Sequence, residues 1–357
     1  MEHMKQNQDS IDTSKIRPLD EEALKKSQMR WNAIAHPLHS LGKLEDVVIK
    51  LAGIYRTDVV PKTKKALVIM CADNGVVAEG VTQTGQEVTA IVAENFLKEN
   101  ATAAIFCKET HADIFPIDIG IARDTNIICK KIAYGTKNMT KEPAMTRKEA
   151  VLAIQTGIDF VLELKQKGYN LIATGEMGIG NTTTSSAVTS VLLKEDPIHM
   201  TGRGAGLSDD GLKKKINAIQ TAIALHQPDE KDVIDVLSKV GGFDLCGLCG
   251  VFLGGAIYQI PIILDGFISS TAALCAAKMH ANAKYYMIAS HISKEPAAVL
   301  LLKTLELDPV LHADMSLGEG TGAVAFFPFI DLAIRVYQTM STFEENDIES
   351  YKEQAAL

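Results

Sequence analysis

The sequence predicts an α/β protein: a parallel, Rossmann-like sheet flanked by helices, with a smaller helical domain formed from the N- and C-terminal segments. Three observations predict it. Short apolar runs recur, each run ends in a loop rich in Gly, Ser or Thr, and each loop leads into a helix-like segment. Continuous apolar runs mark strands covered on both faces, and strands alternating with helices mark a parallel sheet.

In chain order, residues 1–27 are polar and charged, with no apolar stretch after the first basic residue, and read as a loosely docked arm rather than a secretory signal. Residues 28–60 and about 322–357 are expected to pair as the small helical domain, leaving 61–321 as the α/β catalytic domain. Strands are expected at 66–72, running into Asp73-Asn-Gly, and at 171–174, running into Gly175-Glu-Met-Gly. Two more are expected at 260–264, before Asp265-Gly-Phe, and at 285–289, before Ser290-His-Ile-Ser. Helices are expected at 146–167, 182–193, 208–225, 244–258, 269–280, 294–305 and 320–339, with Ser208 and Ser269 as caps. Parallel sheets place ligands beyond the carboxyl ends of their strands, so these four loops should converge on one site.

Composition narrows the function classes. A chain of 357 residues, 46% hydrophobic and 22% charged, buries a large core, and 6% aromatic content makes that core aliphatic. A net charge of −8 argues against nucleic acid or an anionic membrane as the main partner. The 6 cysteines lie mostly in apolar runs, as in reduced cytoplasmic proteins. Residues 245–264 carry no charge and include Gly250-Val-Phe-Leu-Gly254. Gln259 and Pro261 interrupt the stretch, so it reads as a buried helix, a turn and a central strand rather than a membrane span. Cys246 and Cys249 have dithiol spacing but fall inside that apolar helix, against a redox role. None of the 9 histidines stands at i,i+4 helical spacing from another and there is no second Cys-x-x-Cys, so no metal is expected, and His291, at a strand end, reads as structural.

Two loops suit an anion. Gly175, Glu176, Gly178 and Gly180, then Asn181 and Thr182, follow a strand and open a helix; glycines admit a ligand to the backbone, and amides at a helix start bind phosphate or carboxylate. The spacing is neither a Walker A loop nor a dinucleotide fingerprint. Glu176 is awkward in such a loop unless it binds something. Gly202, Arg203 and Gly204 form a second flexible loop; Asp209 and Asp210 suit the helix dipole that follows, and of Lys213, Lys214 and Lys215 one is placed to reach back to a phosphate. Glu319, between Gly318 and Gly320 before an apolar helix, has little cover from its neighbours and suits a carboxylate projecting into a cleft. There partial burial would raise its pKa toward that of a general base.

Taken together, these loops resemble the nicotinate mononucleotide:5,6-dimethylbenzimidazole phosphoribosyltransferases of cobamide biosynthesis. The resemblance runs from about His36 to Ala333: His36-Pro-Leu-His-Ser-Leu-Gly-Lys-Leu-Glu45, Asp73-Asn-Gly-Val, Gly80-Val-Thr, Gln86-Glu-Val-Thr89, the two glycine loops, Gly241-Gly-Phe-Asp244, Asp265-Gly-Phe-Ile-Ser269 and Leu317 to Gly322, in family order. It implies a homodimer and transfer of phosphoribose from nicotinate mononucleotide to an azole nitrogen, giving an α-ribotide and nicotinate, with no cofactor. It implies that Glu319 is the base and Glu176 its neighbour. The nucleotide side takes the loops around Gly178 and Gly204 with Lys215, Asp265 and Ser290. Asp73, Thr82 and Gln86 fall by the acceptor base, with Met177, Met315 and Leu317 as apolar walls.

Bound as a pyridinium, nicotinate leaves without an acid. The chemistry then needs one carboxylate base, a phosphate cradle and no metal. The chain departs from the family pattern at Asn74 (for His), Gly85 (for Pro), Ile292 and Ser316 (for Arg) and Ala297-Ala298 (for Gly-His). Several of these flank the acceptor pocket, which widens the expected acceptors to substituted benzimidazoles, purines or phenols. Relatives acting on phenols pair two paralogues, so a heterodimer is the alternative assembly, and a non-catalytic nucleotide-binding subunit the alternative function.

Overall fold

The computed structural model describes residues 10–351; residues 1–9 of the expected arm and 352–357 of the expected helical domain lie outside the described residues. Six strands form one parallel sheet: β1 (Lys65–Ala72), β2 (Ala112–Gly120), β3 (Ile128–Cys129), β4 (Leu171–Met177), β5 (Ile262–Leu264) and β6 (Met287–Ala289), in the order β3-β2-β1-β4-β5-β6. The order reverses between β1 and β4. Loops leaving these two strands diverge to opposite faces, and the crevice between their carboxyl ends is where such a sheet binds ligands.

Each strand divides its side chains between two aliphatic layers. Along β1, Ala66, Val68 and Met70 enter one and Leu67, Ile69 and Cys71 the other. Helices α1 (Glu21–Ala33), α2 (Lys43–Tyr55), α3 (Glu87–Leu97) and α4 (Thr102–Glu109) belong to the second layer. The first takes α5 (Arg147–Gln166), α6 (Asn181–Leu193), α7 (Pro197–Met200), α8 (Asp209–His226), α9 (Val233–Val240), α10 (Phe243–Tyr258), α11 (Phe267–Met279) and α12 (Ala298–Leu305). The last helix, α13 (Thr321–Thr339), returns to the second layer.

The uncharged stretch 245–264 is a buried helix, a turn at Gln259 and strand β5. Its glycines seat α10 on α5: a Cβ at Gly157 would fall 2.0 Å from the Gly247 carbonyl oxygen, and one at Gly250 would fall 1.9 Å from that of Ile154. The small-residue pattern thus serves a helix pair inside the protein. Among the described residues no helix is long and apolar enough to cross a membrane. Cys246 and Cys249 are buried free thiols whose pKa values burial raises well above the ordinary thiol range, which removes the thiolate a redox pair needs.

Several expectations differ from the structure. No strand was expected at β2, where Asp113, Pro116 and Asp118 interrupt the apolar run and the first half is only partly buried. β5 and β6 are shorter than expected; residues 281–286, before β6, form a 3₁₀ turn. Helices α3, α4 and α9 were not expected. Ser208 caps α8, accepting from the Gly211 amide at 3.1 Å, but Ser269 lies inside α11, accepts from the Asp265 amide at 3.2 Å and shares a hydrogen with Thr174 Oγ1. Within the expected arm, Ile16 is buried and Asp20 caps α1 through the Ala23 amide at 2.9 Å, so the described part of the arm is docked. The chain ends meet: Arg30 donates to the carbonyls of Tyr337 (3.3 Å) and Met340 (2.9 Å), and the Phe343 amide donates to Ala33 (2.9 Å).

Candidate active site

Beyond the carboxyl end of β4 a cleft of about 210 Å³ opens, walled by the loop into α6, the start of α11, the loop after β6 and the turn before α13. That turn is the most constrained backbone in the site. Gly318, Glu319 and Gly320 have φ of +88°, +62° and +85°. Glycine adopts this left-handed region freely, whereas for a glutamate it costs about 1–2 kcal/mol.

Three contacts hold the turn. Asp265, after β5, accepts from the amides of Gly320 (3.2 Å), Gly322 (2.8 Å) and Ala323 (3.2 Å), capping α13 from another element. Thr321 donates its amide (3.0 Å) and its hydroxyl (2.8 Å) to the Gly318 carbonyl. Behind, a Cβ at Gly175 would fall 2.5 Å from the Glu319 carbonyl oxygen, so only glycine lets β4 approach. The Glu319 carboxylate reaches the first turn of α4, 3.4 Å from the Ala103 amide. Burial raises its pKa above the ordinary range, the Ala103 amide pulls it back and Asp265 adds to the rise.

Glu176, near the end of β4, is buried. The Asn181 amide donates to its Oε2, and its Oε1 lies beneath Gly318, where a Cβ would fall 2.5 Å away. Burial pushes the Glu176 carboxyl up to about 8; Asp244 adds most to that push, Asn181 opposes it, and Asp265 and Glu319 add further. At neutral pH Glu176 is therefore a neutral acid beside Glu319. Two neighbouring carboxyls in different environments take different roles.

Gly180, with φ of +95°, caps the start of α6. The amides expected to be free there are partly engaged: Ile179 donates to Thr89 Oγ1 (3.1 Å), Asn181 to the Gly178 carbonyl (3.0 Å) and Thr183 to that of Gly180 (2.9 Å). Charge comes instead from Lys215, which reaches in from α8 and donates to Thr182 Oγ1 (2.7 Å) and the Gly202 carbonyl (3.2 Å). Burial lowers its pKa to about 8, with Glu295 opposing. A bound anion would restore the charge that burial disfavours.

Of the expected site residues, the cleft brings together Glu176, Met177, Gly178, Asn181, Thr182, Gly204, Asp265, Leu317 and Glu319. Others stand outside its lining. Gly175 and Gly180 shape the backbone, Gly202 lies against Glu295, and Lys215 sits behind Thr182. Arg203 turns to its own loop, donating to Asp209 and, at 2.8 Å, to the Leu207 carbonyl. Ser290 donates to the Leu264 carbonyl at 2.6 Å and bonds His291 Nδ1 at 2.9 Å. Asp73 accepts from the Ala122 amide at 2.8 Å, Thr82 donates to the Thr84 carbonyl at 2.8 Å, Gln86 to that of Asn74 at 3.1 Å, and Met315 accepts from the Lys294 amide at 3.2 Å. His291, read as structural, both makes that structural bond and lines the cleft beside Asp265.

The residue reading did not single out Phe267, Ser293 or Glu295, which also line the cleft, nor Asp244, buried behind Glu176. Phe267 and Asp244 lay in motifs already in view. Ser293 and Glu295 fell at the edge of a helix expected from 294 that begins at Ala298.

The chain matches the profile of a phosphoribosyltransferase family over residues 16–348. It is 47% identical to the "Nicotinate-nucleotide--dimethylbenzimidazole phosphoribosyltransferase" of Clostridium tetani, covering 94% of this chain and 93% of that protein. It is 49% identical to the protein of the same name from Acetivibrio thermocellus, covering 95% and 97%. Among solved structures, CobT from Thermus thermophilus superposes with a TM-score of 0.87 at 35% identity, covering 92% of this chain and 99% of that one.

Proposed function

Because the chain belongs to the nicotinate mononucleotide:5,6-dimethylbenzimidazole phosphoribosyltransferase family, we propose that it moves phosphoribose from nicotinate mononucleotide to 5,6-dimethylbenzimidazole or a related lower-ligand base in cobamide biosynthesis. The products are an α-ribotide and nicotinate. The observation that carries this reading is one cleft lined by a split pair of glutamates and by Thr182, which Lys215 backs. That combination suits a ribose phosphate, with groups for its anion and for its reacting carbon.

In this reading the phosphate sits over Thr182 and Gly204, its charge matched by Lys215. The bond from ribose C1′ to the pyridinium nitrogen breaks, and its electron pair returns to the ring as nicotinate leaves. Glu319 takes the N–H proton of the incoming azole as that nitrogen bonds C1′. Its negative charge also faces the developing oxocarbenium. Glu176, neutral, donates a hydrogen bond without competing for the proton. Met177, Phe267 and Leu317 supply the apolar wall for an aromatic acceptor.

Incubation with nicotinate mononucleotide and a panel of benzimidazoles, adenine and phenols, following nicotinate release and product mass, tests the activity and names the acceptor. Glu319→Gln is expected to lower kcat by roughly a hundred- to ten-thousand-fold; full turnover in that variant would sink the base assignment. We further propose a cytoplasmic homodimer, for which mass measurement in solution is the check.

A further inference from the structure

Asp244 belongs to no step above, yet it lies at the base of the site. It lies in the first turn of α10, has no exposed surface, and accepts from the Leu245 amide at 3.0 Å. Two glycines make its place. A Cβ at Gly242 would fall 2.3 Å from Asp244 Oδ1 and 2.5 Å from Asn74 Oδ1, and one at Gly178 would fall 2.7 Å from Asp244 Oδ2 and 3.2 Å from Asn74 Nδ2. The Gly241-Gly-Phe-Asp244 motif thereby sets a carboxylate beside the fully buried Asn74, at the point where the sheet order reverses. Asn181, whose amide donates to Glu176, faces Asp244 as well.

We propose that Asp244 is a positioning residue of the transferase: buried in one polar cluster with Asn74 and Asn181 at the ends of β1 and β4, its carboxylate fixes Glu176 through Asn181 and keeps Glu176 the proton-bearing member of the glutamate pair. The charged groups facing Glu176 are Asp244 on α10, Asp265 after β5 and Glu319 before α13; Asp244 is the strongest of the three. Burial pushes Asp244 up to about 6 while the amides of Asn181 and Asn74 favour its ionised form; it therefore ionises before Glu176, at about 8, and leaves the proton there. A neutral Glu176 leaves Glu319 to serve as base, because the oxygens of Asp265, the other cleft carboxylate facing Glu176, are taken by the amides of α13.

This inference rests on the proposed transferase activity, so its test has one arm that needs no turnover. Asp244→Asn removes the charge at constant shape. Its kcat profile is expected to lose activity on the alkaline side about one pH unit earlier than the parent, with KM for nicotinate mononucleotide changed less than about threefold; each unit of displacement lowers kcat tenfold at a pH above both inflections. In a Glu176→Gln background the same change should alter kcat less than about twofold.

The second arm is the infrared carboxyl band of protonated Glu176, assigned by its loss in Glu176→Gln. Asp244→Asn should make that band titrate at lower pH. An unmoved band, or equal losses of kcat in both backgrounds, overturns the proposal. So does a variant that loses only thermal stability. Absence of nicotinate release by the parent with every acceptor overturns the transferase reading instead, because the band is read without turnover.

Discussion

At the residue scale the site is a set of ionisable groups held away from their ordinary charge. The buried Glu176 carboxyl, at about 8, binds its proton more tightly folded than unfolded. Between the ordinary glutamate pKa and about 8 the folded state carries the extra proton, so the contribution of Glu176 to stability falls as pH rises through that window. Glu176→Gln lacks this loss. Its melting temperature should gain on the parent between pH 5 and pH 9, by about 2 °C or more at the alkaline end, as read by calorimetry; a pH-independent difference would contradict the assignment. Glu319, shifted upward by burial, gives the other limb: kcat/KM should fall as acid protonates the base, from a pH above the ordinary carboxylate range. Lys215 has the opposite sign. With its pKa lowered to about 8, the unfolded chain holds the extra proton from there up to the ordinary lysine value, and stability rises with pH across that interval. Lys215→Met should therefore weaken nicotinate mononucleotide binding, raising KM at least tenfold, without a matching loss of melting temperature at pH 7.

At the element scale the decisive unit is the junction of Asp265, after β5, with the turn that opens α13. Asp265 lines the cleft, but its oxygens are taken by three amides of the helix that carries Glu319, so its first role in the unliganded site is to hold that turn. Asp265→Ala should cost about 1–2 kcal/mol of stability, the range for a lost helix cap, and lower kcat at least tenfold by loosening Glu319. Unchanged melting of the unliganded variant would show that Asp265 serves the ligand alone. Elements of this site differ in how far sequence reveals them. β1 and the start of β4 were legible because both faces are covered and the residues run apolar without a break; β2 was not, because Asp113, Pro116 and Asp118 carry local duties within it. Glu319 was legible because flanking glycines announce a special backbone. Asp244 stood only at the start of a helix expected from 244, and its role exists only once Asn74 and Asn181, distant in sequence, are brought beside it.

At the scale of the whole molecule, helices from both chain ends pack into an apolar layer of the sheet. Trp31 of α1, Tyr337 of α13 and Leu67 and Ile69 of β1 share one apolar layer, and the Trp31 and Tyr337 rings lie 5.3 Å apart. We propose that the division into a catalytic body and a terminal helical unit is one of layout and not of folding. α13 ties the two together, because its first turn carries the cap that fixes Glu319 and its last turn carries the carbonyls that receive Arg30. A lesion at the far junction should then lower the stability of the entire chain. Trp31→Ala removes a fully buried indole and should cost about 3–5 kcal/mol. Calorimetry is expected to show one transition displaced to lower temperature, with tertiary signals from both ends of the sheet lost together and kcat per folded molecule unchanged at temperatures well below it. Two resolved transitions, with the terminal helices melting first and the cleft still binding nicotinate mononucleotide, would instead make the helical unit an independent domain and release the coupling that α13 imposes.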